Sequence, residues 1–190
     1  MMVYKKITPL LMIGAVLAVV TILSLFGARF IENSSNAQAF IAELGYPGII
    51  LIAIVGGLNF IVPIPAVTLT PVFTAAGLWL PGIILSLTVG TLIADLLGFQ
   101  FGNWSRSHIY KNYPRVISYL EKIHTNRPYL IVPVIFLYAA FLPFPNEVLV
   151  IPLALLNVRL RLIIAPLFLG NLAHQTAYAI GMQGIFNWMF

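Results

Sequence analysis

The chain has no cysteine, which excludes disulfides, cysteine-ligated zinc or iron–sulfur centres, thiol catalysis and S-palmitoylation together. Charge is nearly as scarce, at 8% of residues against about 25% in an average soluble domain. Acidic groups are limited to Asp95 and to Glu32, Glu43, Glu121 and Glu147. A metal site built from several aspartates is therefore not expected, and neither is any cofactor. What the chain has in excess is hydrocarbon: 61% of its 190 residues are hydrophobic, and its mean hydropathy is +1.00. Such a chain cannot cover its own core with polar surface in water, so its class is integral membrane. The net charge of +5 and the pI near 9.7 are read as determinants of membrane orientation rather than of nucleic-acid binding.

Lys5 and Lys6 precede an apolar run from Ile7 to Ala28, long enough at ~1.5 Å per residue to cross a hydrocarbon core of ~30 Å. A cleaved leader ending at Ala37-Gln-Ala39 is the competing reading. Its apolar region would be too long and its cleavage site too distant, because a leader's apolar stretch is typically about 7 to 15 residues. Ser35-x-x-Gln38 before Phe40, Ile41 and Leu44 has the form of a capping box opening a short amphipathic surface helix. From Pro47 to Leu80 an apolar stretch is broken at Pro63-Ile-Pro65 and again at Pro71. Arms 47–62 and 66–80 would each reach about 23 Å as helix, short of a crossing. Carbonyls freed by proline cannot face lipid, so a re-entrant hairpin with its tip against protein or a wet cavity is expected. Pro81 then opens a span to Gly102, with proline at a helix start where its missing N–H does no harm. Residues 103–127 read as a basic interfacial helix, with Ile109, Tyr113, Val116, Ile117, Leu120 and Ile123 at helical spacing.

The design then repeats. Pro128 to Leu142 is an apolar arm, Pro143-Phe-Pro145 a break, Asn146 to Val158 a second arm, and Leu162 to Met182 a final span. A shift of 80 positions sets Pro63 on Pro143, Pro65 on Pro145, Gly90 on Gly170 and Asp95 on Gln175. The expected fold is all-α: three transmembrane spans plus two opposed re-entrant hairpins in an inverted repeat. Its parts are 1–46 (first span and surface helix), 47–102 (first repeat), 103–127 (linker) and 128–190 (second repeat). With three net crossings, nine of the ten basic residues lie on one side and only Arg29 on the other, beside Glu32 and Glu43. The positive-inside rule places that side, with the N-terminus and linker, in the cytoplasm of a multi-pass cell-membrane protein.

Asp95 lies near the middle of its span, where an ionised carboxylate costs ~2.5 to 3.5 kcal/mol on insertion scales. It must be protonated, paired or facing water, and is either a proton carrier or a protonated partner of a carbonyl freed by proline. Asn146 and Glu147 follow the second break, where Glu147 is either a proton or head-group site or an acidic cap at a helix start. His174 and Gln175 occupy the corresponding part of the last span, as relay or interhelical hydrogen-bonding groups. Arg159 and Arg161 are candidate head-group contacts. Asn59, Thr68, Thr70 and Thr74 are expected chiefly to satisfy the first hairpin's backbone, while His108 and His124 receive no role. Enzyme readings fail for want of parts: there is no Gly-x-Ser-Gly loop, no second aspartate and no His/carboxylate cluster at ligand spacing. Basic residues interleaved with Trp104, Tyr110, Tyr113 and Tyr119 beside apolar spans point to anionic lipid rather than RNA.

Pro63-Ile-Pro65 with Gly77, then Gly90, Asp95, Phe99 and Gly102, resembles the first half of the DedA (VTT, SNARE-associated Golgi) family. Phe141-Leu-Pro143-Phe-Pro145-Asn-Glu147 followed by Gly170 resembles its second hairpin and span, so the likeness covers about 47–182. The resemblance implies opposed re-entrant hairpins and lipid translocation, either proton-coupled flipping or passive scrambling, with Asp95 at the family's acidic position. Ala66 and Val67 stand where an acidic residue follows the family's prolines, and Ala140 and Asn146 where it has paired arginines. The expected function is thus lipid translocation with membrane lipids as partners and protons as a candidate coupling ion. Proton-coupled transport of a small solute and a non-transporting assembly role are the alternatives, and self-association is left open.

Overall fold

The computed structural model describes residues 4–58, 65–112, 130–142 and 144–190, and among them only helices occur. Helix α1 is Tyr4–Glu32, containing the whole expected first span; its 29 residues reach about 43 Å. Helix α2 is Ser35–Gly57, interrupted at Gly45 (φ 55°) just before Pro47. Its cap is Ser34 and not the Ser35 of the expected box: the Ser34 hydroxyl accepts the Ala37 N–H at 3.4 Å. The Gln38 amide donates back to the Glu32 carbonyl at 3.1 Å instead of meeting the cap's N–H. Helix α2 ends at Leu58, whose N–H donates to the Ile54 carbonyl at 3.2 Å. Asn59 and Pro63 lie outside the described residues.

After the first break the chain makes one 3₁₀ turn, Ala66–Leu69, and the short helix α3, Thr70–Ala75. Pro71 was expected to interrupt an arm running to 80, but it occupies the first turn of α3, the position where a missing N–H costs least. Helix α4, Leu80–Asn112, opens with Pro81 and continues ten residues past the expected end at 102, taking up the start of the linker. The rest of the linker, 113–127, is outside the described residues. Helices α5, Ile131–Phe141, and α6, Glu147–Leu155, measure about 17 Å and 14 Å, well under a ~30 Å hydrocarbon core. Between them lies the second break, of which Pro143 is not described. Helix α7, Arg161–Met189, runs past the expected 182. Segments Ser35–Gly57 and Leu80–Arg106 are long and apolar enough to cross a membrane by length and composition. The protein is thus all-α among its described residues, with long apolar helices of the kind that suggest a helical membrane protein.

The packing pairs α2 with α4 and α5 with α7, while α6 lies on α4 and α3 lies chiefly on α1. The 3₁₀ turn and α3 also touch α7, so α3 is held between the first and last helices. Glycine permits the closest of these contacts. A Cβ at Gly90 would stand 2.5 Å from Ala53 Cβ and 2.6 Å from the Ile50 carbonyl oxygen. One at Gly170 would stand 2.7 Å from Ala139 Cβ and 2.9 Å from the Phe136 oxygen. These contacts share one pattern, a glycine of the long helix set on a carbonyl and an alanine three residues further along its partner, and Gly102 repeats it on Ile151 and Ala154 of α6.

The turns repeat as well. Helix α3 closes through Ala76 N–H to Val72 O, Gly77 N–H to Thr74 O and Leu78 N–H to Phe73 O. Helix α6 closes through Leu156 to Pro152, Asn157 to Ala154 and Val158 to Leu153, the same three bonds displaced by 80 positions. Gly77 (φ 85°) and Asn157 (φ 57°) take the left-handed corner that such a helix end requires. Apolar burial then fills three clusters. One joins Ile49, Ala53, Val67, Phe73, Ile83, Leu87 and Ala179. A second joins Phe99, Ile135, Ala139, Val150, Ile163 and Leu167, and a third joins Leu25 and Ala28 to Met182 and Phe186.

Valine at Gly90 or Gly170 has no room without separating two helices, so each substitution is expected to destabilise by about 1–3 kcal/mol. Thermal melting of the detergent-purified protein, read by loss of the monodisperse peak, checks this; Gly181→Val, with open space at its Cβ position, is the control.

Candidate functional site

Asp95 sits inside α4 with 1% of its surface exposed. In so apolar a surrounding its carboxyl group must find hydrogen-bond donors within the protein. It finds two amides from two other elements. Asn171, on α7, donates through Nδ2 to Asp95 Oδ2 at 2.7 Å. Asn146, the last residue of the second break, donates to the same oxygen at 3.0 Å. The Asn146 amide also reaches Asn171 Oδ1 at 2.9 Å, closing a triangle that ties α4, α7 and the break together. Asn146 precedes α6 without capping it by its side chain, which leaves the amide free for this use.

One helical turn away, Gln175 donates through Nε2 to Thr91 Oγ1 at 3.0 Å. Residue 95 meets 171 and residue 91 meets 175, so α4 and α7 run antiparallel where they touch. Under the 80-position shift, Thr91 falls on Asn171 and Asp95 on Gln175. The two interhelical bonds are therefore images of each other. The Gln175 Oε1 atom is buried with no partner among the described residues. Turning the amide over would only exchange which end is left over.

Glu147 opens α6 and is 3% exposed. Its Cγ lies 3.4 Å from the place a Cβ would take at Gly98, one turn along α4 from Asp95. Asp95, Asn146, Glu147 and Gln175 are thus gathered into one polar region. His174 is not part of it: the half-buried ring stacks on Tyr178 with centroids 5.5 Å apart. Pro145 ties the break to the preceding helix, its carbonyl accepting the Tyr138 hydroxyl at 3.1 Å. Pro65 leads into the 3₁₀ turn, while Pro63 and Pro143 fall outside the described residues. Thr68 and Thr70 of the first hairpin serve its backbone, bonding the Pro65 carbonyl at 2.8 Å and that of Val67 at 2.6 Å, while the Thr74 hydroxyl meets both the Thr70 carbonyl at 3.1 Å and Gln183 Oε1 of α7 at 2.8 Å. The Thr68 carbonyl in turn accepts the buried Ser24 hydroxyl of α1.

Arg159 and Arg161 lie exposed at the start of α7, and the antiparallel contact sets them at the α4 end that carries Trp104 and Arg106. At the opposite end Arg29 pairs with Glu32 at 3.0 Å and lies 5.6 Å over the Phe190 ring, near the C-terminal end of α7. Trp79 and Trp188 belong to that end too, 70% and 87% exposed. Among the described residues no group of three or more His, Asp or Glu gathers to hold a metal.

Asn171 and Thr91 were not singled out from sequence, though both were detectable. Asn171 stands four residues before Gln175, on the same helical face, and Thr91 stands four before Asp95. If the triangle acts as one unit, Asp95→Ala and Asn171→Ala are non-additive. A double-mutant cycle on thermal stability is expected to show a coupling of about 0.5–3 kcal/mol, with Asp95→Ala and His174→Ala additive as the comparison. No protein-family model matches the chain and no curated protein or solved structure matches it, so the likeness to DedA proteins rests on the motifs given above.

Proposed function

We propose that the protein is a multi-pass membrane protein of two inverted repeats, each a broken hairpin followed by a span, and that it moves amphipathic lipid across the bilayer. The observation that carries the proposal is the buried triangle of Asp95, Asn146 and Asn171, supplied by the second break and by both long helices. A head group crossing hydrocarbon loses its hydrogen bonds, each unsatisfied group costing several kcal/mol. A cluster of amides and carboxyls part-way across offers replacement partners and lowers that barrier. In this reading Asp95 and Glu147 exchange protons or meet the head group, and the amides of Asn146, Asn171 and Gln175 hold its oxygens. The reading assigns no enzymatic step, no cofactor and no metal.

Several features support the membrane frame. Trp79 and Trp104, 70% and 78% exposed, are separated along α4 by about 38 Å, the spacing of two aromatic belts on either side of a ~30 Å core. Asp95 falls between them, about 14 Å from the Trp104 level. Arg106, Arg159 and Arg161 gather at one end, and the paired Arg29 and Glu32 at the other, consistent with a cytoplasmic location for the former. The short lengths of α5 and α6 and the kink of α2 at Gly45 favour hairpins that return rather than cross. The recurring turns and glycine contacts favour the repeat, and the DedA-like motifs point to the same function.

A second reading, proton-coupled transport of a small solute, is favoured by the burial of two of the triangle's members: Asp95 and Asn171 are only 1% and 3% exposed, with Asn146 half-buried. The two are separated in proteoliposomes. Lipid translocation is expected with wild type, and Asp95→Asn with Glu147→Gln is expected to slow it at least about tenfold and remove its pH dependence. Unchanged lipid movement in that variant would sink the assignment of these carboxyls. Solute uptake driven by an imposed proton gradient, without lipid movement, selects the second reading.

A further inference from the structure

A cavity of about 340 Å³ opens where the far end of α4 meets the turn between α6 and α7. It is distinct from the Asp95 triangle. Its floor is formed by the buried Phe99 and Val158, and its hydrogen-bonding groups are Gln100, Asn103, Asn157 and Arg159. We propose that this cavity binds the phosphate group of an anionic ligand, with the Arg159 guanidinium as its main partner and the amides as supporting donors. The proposal rests on the membrane reading and is independent of whether lipid is moved.

Three observations support it. Arg159 has no acidic partner among the described residues, where the ion pair present joins Arg29 to Glu32. A planar guanidinium beside side-chain amides matches phosphate oxygens, which accept several hydrogen bonds at once. The cavity lies at the small end of the ~300–1,000 Å³ range of ligand sites, fitting a head group with an apolar neighbour rather than a whole lipid.

The fold itself does not call for the cation or for two of the amides. The corresponding turn after α3 carries the same three backbone bonds, but the shift of 80 positions sets Trp79 where Arg159 stands, Gly77 for Asn157 and Ile180 for Gln100; only Asn103 is matched by another amide, Gln183, which bonds the Thr74 hydroxyl. One end of the molecule thus has an interfacial tryptophan, and the other a cation lined by amides. The arginine end is also the end of Trp104 and Arg106, where head groups of the adjoining leaflet lie.

The test is equilibrium binding to the full-length protein in neutral detergent, with short-chain phosphatidylglycerol, the matching diacylglycerol and inorganic phosphate as probes. Wild type is expected to bind phosphatidylglycerol at least about ten times more tightly than diacylglycerol. Arg159→Gln should remove that preference, Arg159→Lys retain part of it, and Arg29→Gln at the opposite end leave it intact. Asn157→Gly, which keeps the left-handed corner as Gly77 does and removes the amide, should weaken binding several-fold without altering the melting temperature. Competition by inorganic phosphate would identify phosphate alone as sufficient, and binding of lipid without such competition would identify a head group held together with its chains. Equal binding of phosphatidylglycerol by wild type and Arg159→Gln, or equal binding of diacylglycerol and phosphatidylglycerol by wild type, overturns the site. Because translocation is measured separately, loss of this site leaves the proposed transport function standing, and loss of transport leaves the site standing.

Discussion

A carboxyl group surrounded by hydrocarbon has to be supplied with donors by the chain itself, and the arrangement around Asp95 follows from that requirement. Two amides on one oxygen fix the distance between α4 and α7 and hold the second break against both. Through Asn146 the segment between α5 and α6 is set against both long helices. The polar side chain and the irregular backbone therefore share one location. Asn146 serves both, ending the break and filling the carboxylate's coordination, and Gly98 makes room for Glu147 beside them.

The first break solves the backbone problem differently. Its threonines turn their hydroxyls onto local carbonyls, and Ser24 of α1 covers another. The following 3₁₀ turn buries Ala66 and Val67 against the apolar cluster that includes Ala179. Where the second half presents Asn146 and Glu147, the first presents alanine and valine. The unpartnered Gln175 Oε1 is the visible cost of that difference, since Ala66 occupies the matched position from which Asn146 donates in the other half.

Much of this was legible in the sequence because the strongest signals there are those of exclusion. Two proline pairs 80 positions apart stand just beyond the ends of α2 and α5, with Pro63 and Pro143 outside the described residues, whereas the single prolines Pro47, Pro152 and Pro166 lie inside helices. The lone Asp95 in an apolar run had to be partnered. The partners were harder to pair: Asn171 could be placed on the Gln175 face by its spacing of four, but which helix that face meets follows only from α7 lying antiparallel on α4. The cap at Ser34 was displaced by one residue because adjacent serines are equivalent in sequence, and only the entry angle of the chain separates them. Pro71 was misread for a related reason: a proline that opens a helix and one that breaks it look alike until the preceding 3₁₀ turn is seen. His174 drew attention as an ionisable group at mid-span, yet one helical step of about 100° from Gln175 turns it toward Tyr178.

The repeated scaffold and the unrepeated chemistry together give the molecule a direction. Asp95 is matched by Gln175, Asn146 by Ala66, Glu147 by Val67 and Arg159 by Trp79, so every charged member of these pairs belongs to α4, α6 or the turn that follows α6. Those elements pack on one another, and their contact is filled by the apolar Phe99, Val150, Leu153, Ala154 and Val158, so the Arg159 end and the Asp95 triangle are two separate polar sites. Beyond Asp95 toward Trp79 the same fold is filled by Ala66, Val67, Phe73 and Ala179, an apolar seal. The 3₁₀ turn and α3 on that apolar side are short, yet they are tied to α1 through the Ser24 hydroxyl and to α7 through the Thr74 hydroxyl on Gln183 Oε1 at 2.8 Å, so single hydroxyls hold there what the Asp95 triangle holds on the polar side.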